Sequence, residues 1–408
     1  MFAPQRLRFN ALFDDALYRR YVTRLEAASG PVGFRLAETP VFFAPELVRR
    51  CELAANEIIE QLGEPARMRC MSAAVPEYFA TDDGSALPQF AVVDFAVARA
   101  SDGTLVPRVV ELQGFPSLYA FEVYQRDAWA AELADAFPGV AWSSWYGGLE
   151  RTSYLDLLRR SIAGPFDPEN VVLLDLEPER QKTRCDFLAT RALLGIDAID
   201  PRNVVRHGRR LYRRDESGRE VPIERIYNRM VGEDFARVRE ALSFDVRDDL
   251  DVVWAPHPRW FWAWSKASMP YLDHPAVPRT RLLSQIEQLP EDLATSYVLK
   301  PLFSFAGGGV DVHPTAAACA AVPAGERDVW CLQEKIAYAE ALITPDGSPV
   351  KVELRVMFLR PDENAALVPA TNLARLSRGD MHGVDHNKDF TWVGSSVGIW
   401  SQDAAAIR

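Results

Sequence analysis

An α+β fold is predicted by three local patterns in the chain. The segment FAVVDFAVARASDGTLVPRVVELQG sets an Asp-Gly turn between two apolar-rich runs, which is a hairpin signature. VVLLDLEP is a short continuous apolar run of the kind buried in a parallel sheet, and a helical stretch follows it, giving half of an α/β unit. A second antiparallel pair is expected around the turn PDG at 345–347.

Taken in order, the chain opens with helical spacing in ALFDDALYRRYVTRLEAA and PELVRRCELAANEIIEQLG, each ending near a glycine. Strands follow at 90–98 and 106–113, then a helix in FEVYQRDAWAAELADAF, completing a first region to about residue 165. A second region, 166–255, holds VVLLDLEP, the helix ERQKTRCDFLATRALLG closed by Gly195, and a hairpin whose two alternating runs flank a Ser-Gly turn in RRLYRRDESGREVPIERIYNRM. The third, 256–408, carries YVLKPLFSFAGGGVDVHP, the short strand WCLQEKIA, the strands around PDG, and a strand and polar loop that return to a final strand.

With 408 residues the chain is long enough for two or three domains and a cleft between them, and 48% hydrophobic residues with ten Trp fit a folded globular protein. A net charge of -11 with no basic run interleaved with aromatics argues against nucleic acid as a partner. The first twenty residues lack the apolar core of a signal peptide and no stretch is long enough to span a bilayer, so no membrane partner and a cytoplasmic location are expected. Five scattered cysteines without a C-x-x-C pair read as reduced thiols. No G-x-S-x-G elbow or H-E-x-x-H pair supports a serine hydrolase or a zinc protease. The aromatic group Trp254, Trp260, Trp262 and Trp264 reads as core, and His382, Asp385, His386 and Asn387 as a polar loop at the cleft.

The chemistry-bearing residues begin in the first hairpin. A two-residue Asp102-Gly103 turn sets Ser101 opposite Thr104 and, counting back, Asp94 opposite Glu111, with Gln113 on the same face. Two facing carboxylates in apolar strands are destabilising without a cation between them, so Asp94, Glu111 and Gln113 are candidate Mg2+ ligands. The alternatives are a solvent-facing polar side of the hairpin and a bulge near Pro107 that shifts the register. Lys300 ends a strand beside Ser304, Gly307, Gly308 and Gly309, a loop whose backbone can approach a phosphate. Gln333, Glu334 and Ile336 lie on the next strand, where an adenine can meet backbone groups. In VKVELRVMFL, Lys351, Glu353 and Arg355 share one strand face.

The order and wording of these segments, from about residue 90 to 360, resemble the ATP-grasp ligases, and more closely the circularly permuted branch that includes glutathionylspermidine synthetase. VVELQGFPSLYAFEVYQRDAW is similar to the family's metal-binding segment, placing Glu111 and Gln113, and Asp94 one strand earlier, on metal-ligand positions. WSKASMPYL is similar to its S-N-K segment and VLKPLFSFAGGGV to its glycine loop, which implies Lys266 and Lys300 as the nucleotide lysines. The resemblance implies an ATP-grasp-like fold with an α/β pre-ATP-grasp-like unit, ATP and Mg2+ as cofactors, and a small-molecule carboxylate joined to an amine through an acyl phosphate. Phe305 stands where the family has a loop arginine, Gln113 where it has asparagine, and Val92 where it has an arginine two residues before the aspartate. Arg229, Arg355 and Arg375 are the candidates to supply the missing charge. The rival readings are a catalytically inactive nucleotide-binding module and an ATP-dependent phosphotransferase.

Overall fold

The structure, a computed structural model, describes residues 1, 3–81, 84–303, 308–379 and 390–401. The expected loop residues Ser304, Phe305 and Gly307, and the polar loop with His382, Asp385, His386 and Asn387, lie outside the described residues.

The first hairpin forms strands β1, Phe90–Arg99, and β2, Leu105–Gln113. Its turn differs from the expected two-residue form. Gly103 sits at φ 87° and its N–H donates to Ala100, while Ala100 N–H donates to Thr104, so the loop has three residues and Arg99 faces Leu105. A bulge beside Asp94 then shifts the register back, pairing Phe95 with Val109 but Asp94 with Glu111. The pairing that matters to the site is therefore the predicted one, reached through two departures that cancel.

The nucleotide-strand candidates form β3, Tyr297–Pro301, and β4, Trp330–Glu334, an antiparallel pair extended by Thr280–Leu282. Next come β5, Pro349–Leu359, and β6, Val368–Ser377. Together with Gly394–Ser396 they continue the first hairpin into one sheet, in the order Gly394–Ser396, β6, β5, β1, β2, with Glu340–Ile343 pairing on β5. One sheet thus draws strands from both the first and the third regions of the chain. Val352, Leu354 and Val356 fill the core on one of its faces. Glu353 and Arg355 on the opposite face are also buried, at 4% and 6% exposure, so this strand has no solvated side.

The second region is a four-stranded parallel sheet in the order Val253–Ala255, Arg225–Asn228, Val171–Leu174, Asp197–Ile199, with the helix Arg184–Leu194 closed by Gly195 at φ 74°. The expected hairpin is present in Arg210–Arg214 and Glu220–Ile223. Its second run does not continue to Met230: the chain turns at Glu224 and Arg225–Asn228 joins the parallel sheet, where four consecutive buried residues suit a two-sided strand.

At the N-terminus the single helix expected from 11 onward is divided. Helices Ala3–Leu12 and Asp15–Ser29 meet at Asp14, whose carboxylate accepts the Leu17 N–H at 2.6 Å. Asp14→Ala is expected to cost about 1 kcal/mol, read as a lower midpoint of urea unfolding. Both helices pack into the largest core, which also takes residues from β1, β5 and β6. No described helix is long and apolar enough to cross a membrane.

Candidate active site

The β1–β5–β6 sheet brings together charges that are distant in sequence. Asp94 lies opposite Glu111 on one neighbouring strand and opposite Arg355 on the other. Arg355 Nε donates to Asp94 Oδ1 at 2.7 Å and Nη2 to Oδ2 at 2.6 Å, a two-pronged pair between side chains 7% and 2% exposed. Burial by itself raises the Asp94 pKa, but the Arg355 charge and hydrogen bonds outweigh it and hold the carboxyl below its usual range. The same pair, working against desolvation, holds Arg355 firmly charged.

Glu111 is the hub. Arg355 Nη2 stands 4.0 Å from its Oε1, Lys266 Nζ stands 3.7 Å from its Oε2, and Gln113 Nε2 donates to Oε1 at 2.9 Å. Glu111, Gln113 and Lys266 line a cleft with Phe115, Phe261 and Phe303. Lys266 is the first residue of a 3-10 turn capped by Ser265, whose Oγ accepts the Ala267 N–H. Lys300 comes from the other sheet: its ammonium donates to Gln333 Oε1 at 2.5 Å, and Gln333 in turn donates to Thr280 Oγ1 at 3.2 Å. Burial pushes the Lys300 pKa down, and Cys331 and Glu111 pull partly the other way.

Of the expected nucleotide contacts, Gln333 is turned inward, 2% exposed, and holds Lys300. Glu334 N–H donates to Arg279 O at the strand's end, and Ile336 follows in the segment leading to the large sheet. Gly308 and Gly309 are exposed, with Gly309 at φ 71°.

The metal-ligand reading needs adjusting at Asp94. Both its oxygens receive Arg355, so the pair that can offer oxygens to Mg2+ is Glu111 with the Gln113 carbonyl. That set suits Mg2+, which takes one or two carboxylates and completes its shell with water and phosphate oxygens. Among the described residues no cluster of three His, Cys, Asp or Glu has metal-binding geometry.

Arg229, expected near the chemistry, is held by a different carboxylate. It follows the strand Arg225–Asn228, and its guanidinium, 3% exposed, pairs with Asp186, which also accepts the Leu118, Ala120 and Phe121 N–H groups. This is a brace between the parallel sheet and the helix Phe121–Leu133. Arg375 does reach the charged row, at 3.0 Å from Glu353 and 4.0 Å from Asp94. The charged face of VKVELRVMFL was the only sequence signal for Glu353; its partners on β6 were invisible to local spacing.

Near the brace, burial pushes the Asp175 pKa up to about 7, partly offset by Arg229. A raised folded-state value means that the protonated carboxyl stabilises the fold at low pH and that this contribution is lost as pH rises toward 7. Wild-type stability is therefore expected to fall between about pH 4 and pH 7, and to level off above, by at most ~1.4 kcal/mol per pH unit relative to Asp175→Asn, measured by urea unfolding at stepped pH.

No protein-family model matches the chain, and no curated protein does so significantly. Among solved structures it is similar to a glutathione synthetase-like effector from Globodera pallida in the apo form, with TM-score 0.59, 12% identity, and coverage of 95% of this chain and 97% of the other. A provisionally assigned gamma-glutamylcysteine synthetase from Methylobacillus flagellatus matches at TM-score 0.37 and 13% identity over 86% of each chain, too distantly to carry argument. At these identities the likeness concerns the fold, and the chain has the α+β, ATP-grasp-like fold that its sequence predicts.

Proposed function

We propose that the chain is an ATP-dependent carboxylate-amine ligase, with the motif order placing it beside the branch that includes glutathionylspermidine synthetase. The observation that carries this reading is the convergence on Glu111 of Lys266 and Arg355, with the buried Lys300 ammonium near enough to feel the charges of Glu111 and Lys266. Lys266 lines the cleft beside Glu111 and is there to meet a polyphosphate, while Lys300, Arg355 and Arg375 are held by Gln333, Asp94 and Glu353.

In this reading Lys266 and Lys300 hold the phosphates, and Arg355, fixed by Asp94, meets the charge that develops as the terminal phosphoryl group passes to a substrate carboxylate. Mg2+ held by Glu111 and Gln113 would supply charge neutralisation across the phosphate oxygens. The amine then attacks the acyl carbon, giving up a proton as the C–O bond to the phosphate breaks and inorganic phosphate leaves, and the aromatic wall of Phe115, Phe261 and Phe303 limits the water that would hydrolyse the acyl phosphate. Arg355 takes the part that Phe305 and Val92 leave open.

A nucleotide-binding module without turnover is the second reading, favoured by the commitment of Asp94 to Arg355. The deciding measurement is ADP release from Mg-ATP against a pool of amino acids, short peptides and polyamines, with product masses. Amine-dependent release with an amide-mass product supports the ligase; phosphorylated product without amide supports a phosphotransferase. Binding without release supports the inactive module, and no ATP binding removes the ATP-grasp function.

A further inference from the structure

The short segment 335–339 links β4, whose end is read above as the adenine contact, to the large sheet. It is not a passive connection. Ala339 N–H donates to Val97 O at 2.8 Å and Tyr338 bridges to Ala98, so the segment is laid along the end of β1. From there the Tyr338 hydroxyl donates to Glu353 Oε1 at 2.6 Å. The other oxygen, Glu353 Oε2, accepts Arg375 Nη1 at 3.0 Å, and Arg375 Nη2 stands 4.0 Å from Asp94 Oδ2.

The two oxygens of one buried carboxylate are thus divided between the nucleotide segment and an arginine of the charged row. Glu353 and Arg375 are direct cross-strand partners, so the backbone fixes their spacing, while Tyr338 is the contact that arrives from outside the pair. Burial pushes the Glu353 pKa up, which makes its hold on the charged form dependent on the Arg375 charge and the Tyr338 hydroxyl. A carboxylate 4% exposed, sharing itself between two donors, transmits the loss of one to the other.

We propose that Tyr338 and Glu353 are positioning residues that couple the segment at 334–336 to Arg375, so that filling the nucleotide strand sets the arginine against Asp94. The proposal rests on the reading of 334–336 as a nucleotide contact, and it adds a wire from that contact to the row of charges.

The test follows the Arg375 side-chain Nε–H signal by nitrogen-15 NMR, identified by its absence in Arg375→Lys. In the ligand-free protein the signal is expected to be protected, and its exchange with water to rise about tenfold in Tyr338→Phe and in Glu353→Gln, with Glu353→Asp recovering part of the protection. Tyr338→Phe removes one hydroxyl, so it keeps the test alive if Glu353→Gln fails to fold. Mg-ATP is expected to shift the signal in the wild type and to leave it still in Tyr338→Phe. An Arg375 signal equally protected in all variants overturns the positioning role, and a nucleotide shift of the same size in wild type and Tyr338→Phe overturns the coupling. Turnover is not needed for either arm, so a protein that binds Mg-ATP without making an amide loses the ligase reading and keeps this one, whereas one in which Mg-ATP moves nothing loses the coupling.

Discussion

Lys300→Ala and Glu111→Ala are each expected to lower amine-dependent ADP release by two to three orders of magnitude, the usual effect of removing one preorganised group from a site of developing charge. For Lys300 the argument is electrostatic. Its ammonium has been partly desolvated before any ligand arrives, and Gln333 fixes its direction at 2.5 Å, so little reorganisation remains when a phosphate binds. Gln333→Leu should therefore lower the rate about tenfold by releasing Lys300 while leaving its charge in place. For Glu111 the loss is of another kind: without it, Lys266 and Arg355 face each other with no anion between them, and Gln113 loses the acceptor that orients its amide. The rates should be read beside the Mg-ATP dissociation constant. Weaker binding with unchanged maximal rate in both variants would show that these groups hold the nucleotide equally before and during reaction, and would withdraw their catalytic role.

How far the site could be read in the sequence depended on whether a residue's partners were close along the chain. Asp94 and Glu111 share a hairpin, and the turn and strand pattern brought them face to face even though the loop was one residue longer than expected and a bulge restored the register. A two-residue count has no means of seeing compensating irregularities, because both depend on backbone geometry at Gly103 and beside Asp94. Arg355 and Asp94 are 261 residues apart, and nothing short-range says that β5 lies beside β1. The alternating face of VKVELRVMFL announced a special strand without saying what it met. Arg229 shows the same limit: its partner Asp186, 43 residues earlier on a helix, is fully buried and ties three backbone N–H groups to the arginine. The fold class was easier, because hairpins and the buried run Val171–Leu174 are local signals.

The Asp94–Arg355 pair gives the largest expected loss of stability. Arg355→Met leaves a carboxylate, 2% exposed, without its two charge-assisted hydrogen bonds, and is expected to cost ~3–5 kcal/mol in urea unfolding. Asp94→Leu should cost a similar amount by stranding the guanidinium. Removing both charges is different, because the desolvation of two ions is removed along with their attraction, and Asp94→Leu/Arg355→Met is expected to recover most of the lost stability. Activity should not follow. If Arg355 serves the phosphoryl transfer, the double variant folds and binds Mg-ATP but stays at the rate of Arg355→Met alone. A double variant that regains both stability and turnover would reduce the pair to a structural brace like Asp186 and Arg229. In that case Arg375 would remain to supply the charge, since Glu353 holds it from the neighbouring strand.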